Sequence, residues 1–118
     1  MKSKKMLVVD DDEAILLCLA ELSEMENWDV VFASNGEECL QREAKENFSL
    51  ILLDHRMPIK TGEEVLAELC AKASTVPVVV MSAEKKTELF KRFPLVVDTI
   101  AKPFDLDVLV KTVNPYIR

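Results

Sequence analysis

Apolar residues along this chain come in two arrangements: short continuous runs, and longer stretches in which they return every three or four positions. Met6-Leu7-Val8-Val9, Leu50 to Leu53, Val76 to Met81 around Pro77, and Leu95 to Ala101 are of the first kind. Such runs, bounded by polar or turn-forming residues, read as strands buried on both faces, as in a parallel sheet. Trp28 to Ala33 reads as a further, shorter strand. The second arrangement predicts amphipathic helices. Glu13 to Glu26 places Ile15, Cys18, Leu19, Leu22 and Met25 on one face. Ser34-Asn35-Gly36-Glu37 reads as a capping box, with Ser34 at the cap, opening a helix to about Asn47. Thr61 and Glu64 form a second capping box before Val65, Leu66 and Leu69, and Asp105 caps a last helix carrying Leu106, Leu109, Val110, Val113 and Ile117. Lys85 to Arg92 has room for about two helical turns before Pro94 stops it.

Strand and helix therefore alternate five times, which implies right-handed crossovers and helices on both faces of a parallel sheet. Open α/β sheets bind their ligands at the carboxyl ends of the strands, and four of the runs end on residues able to do chemistry. Met6 to Val9 ends in Asp10-Asp11-Asp12-Glu13, and Leu50 to Leu53 ends on Asp54. Val76 to Met81 ends in Ser82-Ala83, and Leu95 to Ala101 in Lys102-Pro103-Phe104. Past Asp54, Met57-Pro58 breaks the strand and Gly62 stands where the next helix begins. One aspartate alone would be read as a cap or a turn residue; the set invites more.

Val8-Val9-Asp10-Asp11, Leu53-Asp54 with Met57-Pro58 and Gly62, Met81-Ser82-Ala83 and Lys102-Pro103-Phe104 resemble, in order and nearly in spacing, the receiver domain of two-component response regulators. The likeness runs from about Lys4 to the C-terminus, so residues 1–118 read as a single receiver domain. It favours the flavodoxin-like strand order 2-1-3-4-5, which sets the first and third strands side by side. It also implies roles. Asp54 is the expected phosphoacceptor, Asp10 and Asp11 the Mg²⁺ ligands with the Arg56 backbone carbonyl, Ser82 the switch hydroxyl, and Lys102 the contact to the phosphoryl group. The Lys102–Pro103 peptide bond is expected to be cis. Elementary chemistry agrees: three carboxylates held together need a balancing cation, and with no thiolate or imidazole set an oxygen-ligated ion such as Mg²⁺ is indicated. Asp12 and Glu13 are expected at the helix start, solvated or capping. Arg56 and Glu84, each two residues past Asp54 and Ser82, are expected to flank the phosphoryl group with opposite charges and to modulate its lifetime. His55, the only histidine, is expected as a solvent-facing loop residue, and Met57 and Phe104 as packing residues.

Composition narrows the alternatives. The 118 residues are 49% hydrophobic and 31% charged, an ordinary globular balance, and the net charge of −6 argues against nucleic-acid binding and against an anionic membrane surface. The basic start, Met1 to Lys5, precedes an apolar run too short for a signal peptide or a membrane span. A cytoplasmic protein is expected. Cys18, Cys39 and Cys70 sit inside helical patterns without Cys-x-x-Cys spacing and read as buried, reduced thiols.

Two departures from the receiver pattern stand out. Thr99 occupies a position often held by an aromatic residue, so coupled movement of a hydroxyl and a large ring is not expected. The stretch between Ser82 and Lys102 is short and lacks the usual Gly-Ala, so the fourth helix is expected to be small. The resemblance implies a stand-alone phosphorylation switch, not an enzyme acting on other molecules. A histidine kinase or phosphotransfer protein would feed it, and its output would pass through contact with another protein. Two other classes compete. A haloacid-dehalogenase-like phosphatase also uses an aspartate nucleophile with Mg²⁺, but pairs it with a second aspartate where Arg56 stands here. A pseudo-receiver scaffold would bind partners without phosphorylation, and the complete set of acceptor-site residues speaks against that.

Overall fold

A computed structural model describes residues 4–83 and 88–118. Five parallel strands form one sheet: β1 (Lys5–Val9), β2 (Asp29–Ala33), β3 (Leu50–Asp54), β4 (Val78–Ser82) and β5 (Val96–Ala101), in the order β2-β1-β3-β4-β5. The helices between them are α1 (Glu13–Glu26), α2 (Gly36–Lys45), α3 (Gly62–Ala71), α4 (Glu88–Lys91) and α5 (Leu106–Ile117). This is the expected doubly wound arrangement, with strand limits shifted by one or two residues. β4 begins at Val78 rather than Val76, because Pro77 can give no ladder hydrogen bond through its nitrogen.

Alternation along each strand divides the core in two. Leu7, Val9, Ile51, Leu53, Val78 and Val80 face α2, α3 and α4, packing on Cys39, Val65, Leu66, Leu69 and Phe90. Met6, Val8, Leu50, Leu52, Val79 and Met81 face α1 and α5, packing on Leu19, Leu22, Leu109 and Val113. Every residue of β3 is buried, which is why that strand reads as a continuous apolar run. The Trp28 indole N–H donates to Asn114 Oδ1 at 2.9 Å, tying the start of β2 to α5.

Several local expectations shift. The α2 cap is Asn35, whose Oδ1 accepts from the Glu38 N–H at 2.8 Å, while Glu38 Oε1 accepts from the Ser34 N–H at 2.7 Å. The cap thus sits one residue later than Ser34, since an asparagine caps as well as a serine, and no reciprocal box closes because Glu38 reaches the Ser34 N–H rather than that of Asn35. The Thr61–Glu64 box and the Asp105 cap form as read. Met25 is 76% exposed, because the apolar stripe of α1 drifts at 100° per residue and Ser23 takes the inner position near Leu19. Leu106 is likewise exposed at the first position of α5. Of the cysteines only Cys39 is fully buried, Cys18 and Cys70 being half-buried; all three are free thiols. Burial pushes the Cys39 thiol up to about 12, with the nearby Glu43 charge adding to it, so it is inert at neutral pH. Residues 84–87 lie outside the described set; within it, α4 is a single turn, Glu88–Lys91. Among the described residues no helix is long and apolar enough to cross a membrane.

Candidate functional site at the carboxyl edge of the sheet

The strand order puts the ends of β1 and β3 side by side, with Val9 opposite Leu53, so Asp10 and Asp54 leave the sheet next to one another. Asp10 is held rigidly. Its N–H donates to the Ala33 carbonyl at 3.1 Å, and its Oδ1 accepts from the Asp12 N–H at 2.9 Å. Asp12 caps α1, accepting from the Ala14 N–H, as its place at the helix start implied. Asp10 is 0% and Asp54 5% exposed, whereas Asp11 is open to solvent. Carboxylate oxygens of Asp10, Asp11 and Asp54 lie within 4.8 Å of one another. That oxygen-only donor set suits a hard divalent cation such as Mg²⁺.

Lys102 supplies the balancing charge. Its N–H donates to the Ser82 carbonyl at 2.8 Å, carrying the β4–β5 pairing one step past the strands. The Lys102–Pro103 bond is cis, as expected. The ammonium donates to Asp10 Oδ2 at 2.7 Å and to Asp54 Oδ1 at 3.0 Å. Burial pushes the Asp54 carboxyl up, the hydrogen bond from Lys102 works against it, and the Asp10 charge adds to the rise; the balance lies at about 6. Desolvation acts to lower the Lys102 ammonium, but its hydrogen bonds to Asp10 and Asp54 prevail and its pKa is raised. Lys102 thus stays charged beside an Asp54 carboxyl raised toward neutral pH.

Ser82, the last residue of β4, is buried beside this cluster. Asp54, His55, Arg56, Ser82, Ala83 and Lys102 line a pocket of about 170 Å³, ample for a phosphoryl group. Arg56 borders it with an exposed side chain, while Glu84, its expected counterpart, lies outside the described residues. Thr99 does not reach this pocket. It pairs with Val80 two steps further down the sheet and lines a separate pocket of about 200 Å³ with Phe90 and Val96.

His55 is not the solvent-facing residue that its place after the strand suggested; it is 6% exposed. Its N–H donates to the Met81 carbonyl at 2.9 Å, so pairing with β4 outlasts the strand. The side chain continues the face of Ile51 and Leu53, beneath α3 and α4. The imidazole meets the Phe90 ring edge-on, centroids 4.8 Å apart. Its Nδ1 lies 3.3 Å from Ser82 Oγ and its Nε2 2.9 Å from Glu63 Oε1. The period of two through Ile51, Leu53 and His55 carried this information; Glu63, in the first turn of α3, gave no separate signal. Met57 is buried and Phe104 packs against the α1–α5 side, as expected.

Comparison with known proteins agrees with this geometry. The model of the family described as "Response regulator receiver domain" matches residues 6–114. Response regulator RR06 of Streptococcus pneumoniae is 38% identical over 114 residues, covering 95% of this chain and 52% of that protein. The chain thus spans about half the length of that regulator. Sporulation initiation phosphotransferase F of Bacillus subtilis is 29% identical, covering 99% of this chain and 96% of that one. Among solved structures, response regulator TrrA of Thermotoga maritima in complex with Mg²⁺-BeF superposes with a TM-score of 0.84 at 30% identity, over 96% of this chain and 98% of that one.

Proposed function

The chain belongs to the response regulator receiver domain family, and from that premise we propose that Asp54 is the phosphoacceptor of its two-component switch. The observation that carries the assignment is the Asp54 carboxylate at the end of the fully buried β3, 3.0 Å from Lys102 and within 4.8 Å of Asp10 and Asp11 oxygens. A phosphorylated histidine on a kinase or phosphotransfer protein is the donor. An Asp54 oxygen attacks its phosphorus, the P–O bond forms, the P–N bond breaks, and the imidazole leaves with the electron pair.

Asp10, Asp11, Asp54 and the Arg56 carbonyl are the ligands for Mg²⁺, which supplies charge neutralisation for the phosphoryl oxygens when bound. Lys102 is already aimed at Asp54, so its ammonium meets the transferred group without reorganisation. Ser82 donates its hydroxyl hydrogen to a phosphoryl oxygen and so reports phosphorylation to β4. Thr99 leaves room beneath β5 in place of a swinging ring. Arg56 and Glu84 modulate attack by water on the acyl phosphate. The chain mediates only its own phosphorylation and dephosphorylation, and passes the state on by contact with a downstream protein in the cytoplasm.

Transfer from a phosphorylated histidine phosphotransfer domain in the presence of Mg²⁺ tests this. Uptake of one phosphoryl group per chain, with no sustained hydrolysis of a generic phosphate ester, is the expected result. Continuous turnover of the ester would instead assign a phosphatase.

A further inference from the structure

His55 and Glu63 lie beside the phosphoacceptor and take no part in the transfer just described. Glu63 Oε1, a carboxylate oxygen, only accepts, so in its neutral form the imidazole 2.9 Å away carries its hydrogen on Nε2. Nδ1 is then left with a lone pair, and the Ser82 hydroxyl, its Oγ 3.3 Å away, is placed to donate to it. A hydroxyl has one hydrogen to give. While that hydrogen is directed at His55, it is not available to an oxygen on Asp54. The arrangement is well supported: His55 is buried, wedged against Phe90, and its backbone is bonded to Met81, one residue before Ser82. Glu63 sits in the first turn of α3, whose start is fixed by the Gly62 N–H donating to the His55 carbonyl at 2.8 Å.

Resting on the phosphoacceptor reading, we infer that His55, its tautomer pinned by Glu63, is a positioning residue that holds the Ser82 hydroxyl in the unphosphorylated arrangement. A phosphoryl group on Asp54 must win the Ser82 hydrogen from the imidazole before β4 can respond. His55 therefore sets how much of the binding energy of the phosphoryl group goes into throwing the switch.

Fluoroberyllate with Mg²⁺ is the probe, and its affinity is measured by titration at pH 8 on the full chain. His55→Phe keeps a ring against Phe90 but removes the acceptor, and should tighten binding about fivefold, the worth of one ordinary net hydrogen bond. In a Ser82→Ala background the same change should have no effect. Glu63→Ala should move affinity in the same direction, and Glu63→Gln, which keeps an oxygen for Nε2–H, should restore the wild-type value. Unchanged or weaker binding in His55→Phe, or equal tightening with and without the Ser82 hydroxyl, overturns the proposal.

A nitrogen-15 NMR measurement of the imidazole does not depend on that variant folding. The unphosphorylated wild type should show hydrogen on Nε2 and an Nδ1 signal that shifts in Ser82→Ala; hydrogen on Nδ1 overturns the latch. Wild-type chain that shows the expected imidazole signals yet binds no fluoroberyllate would defeat the phosphoacceptor reading, and with it any role for the latch in phosphorylation. Fluoroberyllate binding with the wrong tautomer would defeat the latch alone.

Discussion

At the scale of single residues, the site balances two costs: three carboxylates crowd one edge of the sheet, and one ammonium compensates them in part. Asp54 bears the remainder, its carboxyl lifted to about 6 first by burial. A carboxyl that binds its proton more tightly folded than unfolded makes ionisation a cost to the fold. That cost is absent below about pH 4, the unfolded value, and develops fully as pH rises through about 6. The metal-free chain should therefore lose stability across this window, by an amount on the order of 2–3 kcal/mol. Asp54→Asn, which keeps the shape and removes the charge, should flatten the decline; denaturant titrations at pH 4.5 and 7.5 compare the two. Mg²⁺ should reverse the cost at neutral pH by binding the folded chain alone, and should do so weakly near pH 5, where a proton occupies Asp54. Asp11 is the open member of the cluster, so Asp11→Asn should fold normally yet give a smaller Mg²⁺-induced melting shift. The same shift in both proteins would place the metal elsewhere.

At the scale of elements, the connection from β3 to α3 holds Asp54, His55 and Glu63 in one frame. A Cβ added at Gly62 would meet the Asp54 carbonyl oxygen at 2.8 Å and the His55 Cα at 3.1 Å. Both are backbone atoms with little freedom to retreat. Gly62→Ala should thus destabilise the fold by about 1–3 kcal/mol and displace the backbone amide signals of residues 54 and 55. An unchanged melting temperature would mean that α3 is not pressed against the strand end. Three residues earlier, Ile59 is 73% exposed and adopts φ 71°, a left-handed conformation unfavourable for a β-branched side chain. Nothing is buried there to offset the strain. Ile59→Asn, which tolerates that conformation, should raise stability by about 1 kcal/mol; a loss on thermal unfolding would contradict this account of the loop.

At the scale of the whole molecule, the sheet is legible because β1, β3 and β4 are buried on both faces and, with β5, lead into residues able to do chemistry. β5 departs from the doubly buried reading of its apolar run, because an edge strand leaves Val97, Asp98 and Ala101 exposed. Periodicity placed Val65, Leu66 and Leu69 correctly, since all three are buried under β1 and β3. It misplaced Met25, because a helix stripe drifts and the chain beyond it turns away. Asp10, Asp11, Asp54 and Lys102 converge as their strand-end positions implied. His55 departs from its expected exposure for a physical reason: a residue after a strand is usually in a loop, yet here pairing to Met81 continues and α3 and Phe90 cover the ring. Its partners Ser82 and Glu63 lie 27 and 8 positions away, and only the fold brings them together. All of these parts converge on one carboxylate. Incubation with Mg²⁺ and acetyl phosphate, read by intact mass, tests that convergence most directly. The wild-type chain should gain the mass of one phosphoryl group and Asp54→Asn should gain none; full labelling of Asp54→Asn, or none of the wild type, would contradict the account.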